Sequence, residues 1–155
     1  MTDVKCILAV DPGLMTGACR YWFGAGIEPG FELPYLLFLD WAWKALETHG
    51  PSTIVVMEEF RINAGTAKKA PAPWSLEVIG AVRWMATYHG AQFVMQSAAD
   101  AKTFVSNDKL KVAGAWFTNL EHARDAGRHL LLYLARVGWY DGTTIGPRVH
   151  GIVSS

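Results

Sequence analysis

Residues 53–57, Thr-Ile-Val-Val-Met, constrain the fold more than any other stretch of this sequence. A half-buried strand alternates apolar and polar side chains, whereas this one is apolar on both faces and belongs in the middle of a sheet covered on both sides. An α/β arrangement, with helices packed on either face, supplies that cover. A second apolar run, residues 4–10, ends at Asp-Pro-Gly and reads as a buried strand closed by a turn. Each of these strands delivers a carboxylate at its end: Asp11 after the first, Glu58 followed by Glu59 after the second.

The remaining elements follow from local pattern. Residues 17–23 read as a strand hairpinned to the first, and residues 35–39 as a third. Residues 41–49 have helical composition and stop at Gly50-Pro51. Residues 61–74 mix Gly, Ala, Lys and Pro without periodicity, as a long loop does. Ser75 can cap a helix in which Leu76, Ile79, Val82 and Ala86 recur at helical spacing, and residues 92–96 supply a further strand. Residues 98–105 and 109–117 read as short helices. Asn119 is the expected cap of a last helix, whose Ala126, Leu130, Leu134 and Val137 form an apolar stripe. The expected class is α/β, a mixed five-stranded sheet flanked by helices. It forms one domain over residues 1–140, followed by a C-terminal tail, 141–155, that is either disordered or an interaction arm.

At 155 residues, half of them apolar and seven of them tryptophan, the chain has enough material for one well-buried core. Cys6 and Cys19 form no CxxC or Cys/His cluster, so neither a zinc site nor a disulfide framework is indicated, and a cytoplasmic location is expected. No membrane segment is expected either, because the apolar run at 35–39 is cut by Asp40. The formal net charge is zero, which speaks against a broadly basic nucleic-acid binder. Arg61, Lys68, Lys69, Lys102, Lys109 and Lys111 nevertheless fall in or near the loops expected around Asp11, and a neutral chain can present a basic face.

Metal-assisted phosphodiester cleavage needs acidic or imidazole ligands converging on two divalent ions about 4 Å apart. Asp11, Glu58, His122 and Asp125 form such a candidate set, the last two lying at i and i+3 on one side of a helix. Taken singly, each has an ordinary explanation. Asp favours the first position of a turn, Glu58 closes a strand, and Asp125 complements a helix dipole beside a surface histidine.

Taken together, Ile-Leu-Ala-Val-Asp-Pro-Gly-Leu-Met-Thr-Gly-Ala, Val-Val-Met-Glu-Glu-Phe and His-Ala-Arg-Asp-Ala-Gly-Arg-His resemble, in this order, the motifs of the RuvC Holliday junction resolvases, most closely their actinobacteriophage relatives. The resemblance covers roughly residues 4–137. It implies an RNase H-like fold, a homodimer, and nicking of branched DNA with two Mg²⁺ or Mn²⁺ ions per site, in the cytoplasm of a bacterial host for a phage protein. Asp11, Glu58 and Asp125 match the family's carboxylates, and His122 a position occupied by aspartate in some members and histidine in others. A histidine there shifts preference towards Mn²⁺. Glu58 is chosen over Glu59 because the latter falls where the family has Gln. Lys102 and Lys109 resemble two lysines that hold phosphates, with Lys111 hard to distinguish from Lys109. Phe60 lies near the family's base-stacking aromatic residue. Arg61, Lys68, Lys69 and Lys111 complete the expected DNA contacts.

Three other readings remain. A flap, fork or general branched-DNA nuclease would use the same fold. A non-catalytic DNA-binding module would retain it without activity. An actin-like ATPase or sugar kinase, which shares Asp-x-Gly after a first strand, needs a second domain for which 155 residues leave no room, so no nucleotide cofactor is expected.

Overall fold

The computed structural model describes residues 3–61 and 73–147. At its centre β1 (Cys6–Asp11) lies parallel to β5 (Thr53–Glu59), with Cys6 opposite Thr53 and Val10 opposite Met57. All of β1 and the first five residues of β5 are buried, as their two-sided apolar sequences require. β2 (Met15–Trp22) returns antiparallel along β1, and β6 (Gln92–Ser97) adds in parallel to the other side of β5. Two short strands, β3 (Gly26–Ile27) and β4 (Phe31–Pro34), both pair with β2. The sheet therefore has six strands in the order β3-β2-β1-β5-β6, with β4 also on β2, where five were expected.

Helices cover both faces. On one, α1 (Tyr35–His49) and α2 (Pro73–Tyr88) bring Phe38, Ala42, Leu46, Val78 and Val82 against Leu8, Val10, Val55 and Met57. On the other, α5 (Glu121–Arg136) lays Ala126, Leu130, Leu131 and Leu134 over Ile7, Ala9, Ile54 and Val56, with α3 (Ala98–Phe104) and α4 (Asn107–Ala113) beside it. Strand alternation sorts the side chains, since successive residues of β1 and β5 feed opposite cores. No helix among the described residues is long and apolar enough to cross a membrane.

Three local expectations are corrected. Residues 35–39 open helix α1 and form no strand. Leucine is a good helix former, and Phe38, Ala42 and Leu46, four apart, bury one helical face. The helix expected at 109–117 starts at Asn107, capped by Ser106 Oγ, which accepts from Lys109 N at 3.2 Å, and stops at the left-handed Gly114. Asn119 does not cap α5. It adopts a φ of 60°, and the cap comes instead from Glu32 of β4. Within the segment expected as a tail, residues 141–147 turn back on the domain. Asp141 Oδ1 accepts from Thr143 N and Thr144 N, Tyr140 bridges Ile145, and Ile145 packs on the core.

Candidate active site

The site forms where the C-terminal ends of β1 and β5 meet the first turns of α5. Asp11 pairs across β1 and β2 with Gly17, and the missing side chain at Gly17 is what lets α5 come down on it. A Cβ there would stand 2.1 Å from the backbone carbon of His122. Glu32 then caps the helix in place, its Oε1 accepting from His122 N at 2.7 Å and Ala123 N at 3.3 Å, a carboxylate at the positive end of the helix dipole.

This close approach puts His122 Nδ1 3.0 Å from Asp11 Oδ2. Asp11 is only 8% exposed. Its pKa is pushed up to about 7, first by burial and then by the charge of Glu58, with Asp125 adding in the same sense and the His122 contact opposing. Burial lowers the His122 pKa, but the hydrogen bond and charge of Asp11, joined by Glu32 and Glu121, outweigh it and leave His122 above its ordinary value.

One step past the Val10–Met57 pair, Glu58 stands beside Asp11, and alternation sends both towards α5. Glu58 Oε2 meets His129 Nε2 at 3.1 Å. Glu59 falls on the opposite face of the strand and pairs with Arg61 at 3.0 Å. Asp125 Oδ1 accepts from Arg128 Nη1 at 3.2 Å, and Arg128 also reaches Asn107 Oδ1. Each carboxylate thus has a nitrogen partner from α5. Among the described residues no group of three or more His, Cys, Asp or Glu side chains stands ready as a metal nest. The donor chemistry of Asp11, Glu58, Asp125 and His122, oxygens with one imidazole, still suits Mg²⁺ or Mn²⁺. The raised Asp11 pKa, set first by burial and then by the charge of Glu58, marks a carboxylate whose ionised form the protein solvates poorly and a divalent cation would stabilise.

Beside Asp125 opens a cleft of about 550 Å³, whose lining includes Lys102, Asn107, Trp116, Arg124 and Arg128. Arg124 lies over the Trp116 ring at 4.4 Å, and Lys111 at 4.9 Å. The neutral chain therefore has a locally basic cleft next to its acids. Lys102 is part of that lining, whereas Lys109 is not. The Lys109 ammonium donates to Phe104 O at 2.7 Å and sits 4.2 Å above the Phe104 ring. Phe60 packs against the core under α1 and α2. Lys68 and Lys69 lie outside the described residues. The reading from sequence missed Trp116, Arg124, Arg128 and His129. Only His129 carried a local signal, being one helical stripe with His122 and Asp125.

The sequence matches no protein-family model and no curated protein. Solved structures do match. The chain is similar to Thermus thermophilus RuvC in complex with a Holliday junction substrate, with a TM-score of 0.56 and 19% identity over 86% of this chain and 96% of that one. It is also similar to a second Thermus thermophilus RuvC structure, with a TM-score of 0.53 and 20% identity over 91% and 99%. With its mixed sheet covered by helices on both faces, this chain has the RNase H-like fold of the RuvC resolvases.

Proposed function

We propose that this protein is a metal-dependent, structure-selective DNA endonuclease that cleaves Holliday junctions and related branched DNA. The observation that carries this reading is the convergence of Asp11, Glu58 and His122 where the ends of β1 and β5 meet α5, with Asp125 one helical turn further on and lining a basic cleft. Asp11 is buried, and Glu58 from the neighbouring strand and Asp125 from α5 stand partly buried near it, an arrangement that costs stability and is concentrated at functional sites. The solved RuvC relative bound to a Holliday junction substrate supports branched DNA as the partner.

Asp11, Glu58, His122 and Asp125 would hold the ions. Divalent ions held there would supply charge neutralisation at the scissile phosphate and lower the pKa of the water that replaces the sugar oxygen on phosphorus. The chain's own cations do the rest. Lys102 and Arg124 bind phosphates along the cleft, and Arg128 exchanges its bond to Asp125 for one to the DNA backbone. His122, 46% exposed at its side chain, is the accessible imidazole. We assign the protein to the cytoplasm, where such DNA is found, and to a homodimer, because paired cuts in a four-way junction need two sites.

The deciding experiment compares a labelled four-way junction, a fork, a flap and linear duplex, each with Mg²⁺ and with Mn²⁺, using parent and Asp11→Asn proteins. Cleavage of the junction by the parent alone is expected, with junction binding retained in the variant. Equal cutting by Asp11→Asn would remove the metal-dependent reading. Equal cutting of all branched substrates would replace a resolvase with a general branched-DNA nuclease, and binding without cutting by the parent would leave a non-catalytic module.

A further inference from the structure

Helix α5 carries two histidines seven residues apart, and each meets a site carboxylate: His122 meets Asp11 at 3.0 Å, and His129 meets Glu58 at 3.1 Å. Seven residues are close to two helical turns, so both project towards the sheet from one stripe. Their surroundings differ sharply. The His122 side chain is 46% exposed, whereas that of His129 is 1% exposed, among the leucines of the α5 core. An imidazole sealed in this way cannot reach an incoming ion or a DNA phosphate, so its part must be played through Glu58.

The hydrogen bonds around His129 settle which nitrogen holds the proton. Gln96 of β6, 2% exposed, donates through Nε2 to His129 O at 2.9 Å, and its Oε1 accepts from Arg136 Nη1 at 3.2 Å. An arginine can only donate, which fixes the amide with its oxygen towards Arg136 and its nitrogen towards His129. His129 Nδ1 lies 3.3 Å from that same nitrogen and must act as the acceptor. Neutral imidazole then carries its proton on Nε2, the atom facing Glu58 Oε2. Arg136 is itself tethered to Asp100 Oδ2 at 3.3 Å. A polar chain thus runs from Asp100 on α3 through Arg136, Gln96 and His129 to Glu58.

We propose that His129, set as the Nε2–H tautomer by Gln96, is a positioning residue that holds the Glu58 carboxylate towards Asp11. Glutamate has three rotatable side-chain bonds, and Glu58 is the last residue but one of its strand, with its side chain 25% exposed. A donor fixed in the core pins one of its oxygens and leaves the other to be presented to the site. Histidine–carboxylate contacts of this kind commonly change metal affinity or activity by about 10–100-fold when removed.

The inference rests on Glu58 belonging to the catalytic set, and the test separates the two. Parent, His129→Leu, His129→Gln and Glu58→Gln proteins are compared for junction cleavage (kcat and KM), Mn²⁺ affinity by calorimetry, and thermal unfolding. His129→Leu removes the donor. It is expected to lower kcat and Mn²⁺ affinity by about 10–100-fold with KM for the junction unchanged. His129→Gln returns an amide donor near the Nε2 position and is expected to recover most of both. Parental kcat and Mn²⁺ affinity in His129→Leu, or equal losses in the Leu and Gln variants, would overturn the positioning role. Should His129→Leu fail to fold, Gln96→Leu keeps the imidazole but frees its tautomer. It is expected to lower kcat and Mn²⁺ affinity less, in the same pattern, and parental values there would overturn the role equally. Normal cleavage by Glu58→Gln removes Glu58 from the catalytic set and His129's role with it. Loss in Glu58→Gln beside an unaffected His129→Leu removes the positioning role alone.

Discussion

A carboxyl that is 8% exposed and faces two other acids keeps its proton to about pH 7, so above that pH the folded, metal-free chain carries a charge it solvates poorly. Unfolded, Asp11 titrates near 3.8. Between those two values the folded state binds more protons than the unfolded one, so the Asp11 contribution to stability falls as pH rises towards about 7 and stays low beyond it. His122, also raised, contributes in the same sense, its share being lost as pH rises through its folded pKa. Asp11→Asn keeps the shape and removes the charge. It should raise the stability of the metal-free protein at pH 8 by about 1–3 kcal/mol, with a smaller effect at pH 5, while abolishing cleavage. Denaturant unfolding at the two pH values measures this, and a variant less stable than the parent at pH 8 contradicts it. The sequence offered Asp11, Glu58, His122 and Asp125 as candidates because strand ends and a helical i, i+3 pair are local patterns, although their grouping, and the choice of Glu58 over Glu59, rested on the family resemblance. Their partners were not legible there, because Glu32 and His122 are 90 residues apart, and Gln96 and His129 33 apart. No local rule relates residues at such separations.

Helix α5 starts where it does because of two residues on other elements. Glu32 of β4 supplies the acceptor for two free backbone N–H groups, and Gly17 of β2 supplies the space. Glu32→Ala leaves those donors without the carboxylate and should cost about 1 kcal/mol. Gly17→Ala should cost more, since its Cβ meets backbone, which cannot swing aside, and should weaken cleavage by lifting His122 from Asp11. Thermal unfolding of both variants, with junction cleavage alongside, orders the two effects, and a Gly17→Ala protein as stable and active as the parent would show that the close approach is unimportant. Helical periodicity made α2 and α5 readable from sequence, and short β-branched apolar runs closed by turns or carboxylates made the central strands so. Residues 35–39 were misread because Tyr-Leu-Leu-Phe-Leu is apolar throughout and shows no period. Their helical state is set by Phe38 packing with Ala42 and Leu46 against the sheet. The cap from Asn119 failed for a related reason, as a good capping residue was overridden by a tertiary partner.

At the scale of the molecule, the sheet separates the site on the α5 face from an apolar stripe on α2. Leu76, Gly80, Trp84 and Tyr88 recur every fourth residue along that helix. Leu76 is 45% exposed, Trp84 57% and Tyr88 66%, and a Cβ at Gly80 would meet nothing within 4 Å. Trp84 is braced from behind by Trp43 of α1 at 5.6 Å between ring centroids, which presents it as a rigid surface feature. Adjoining exposed aromatics are unusual on a monomer and enriched in interfaces, and the open position at Gly80 admits a second backbone close to the helix. The homodimer proposed above is therefore expected to pair through α2, leaving the basic cleft of each protomer open on the far side of its sheet. Sedimentation should give the parent a mass near twice the 17.1 kDa of one chain. Trp84→Glu, which puts a charge into the centre of the stripe, should be a folded monomer whose thermal unfolding at high dilution is lowered only modestly, by the loss of the ring contacts with Trp43 and Tyr88. That monomer should still nick branched DNA, because Asp11, Glu58, His122 and Asp125 all come from one chain, but should lose paired cutting of a four-way junction. A Trp84→Glu protein that stays dimeric and cuts both strands together would place the interface elsewhere.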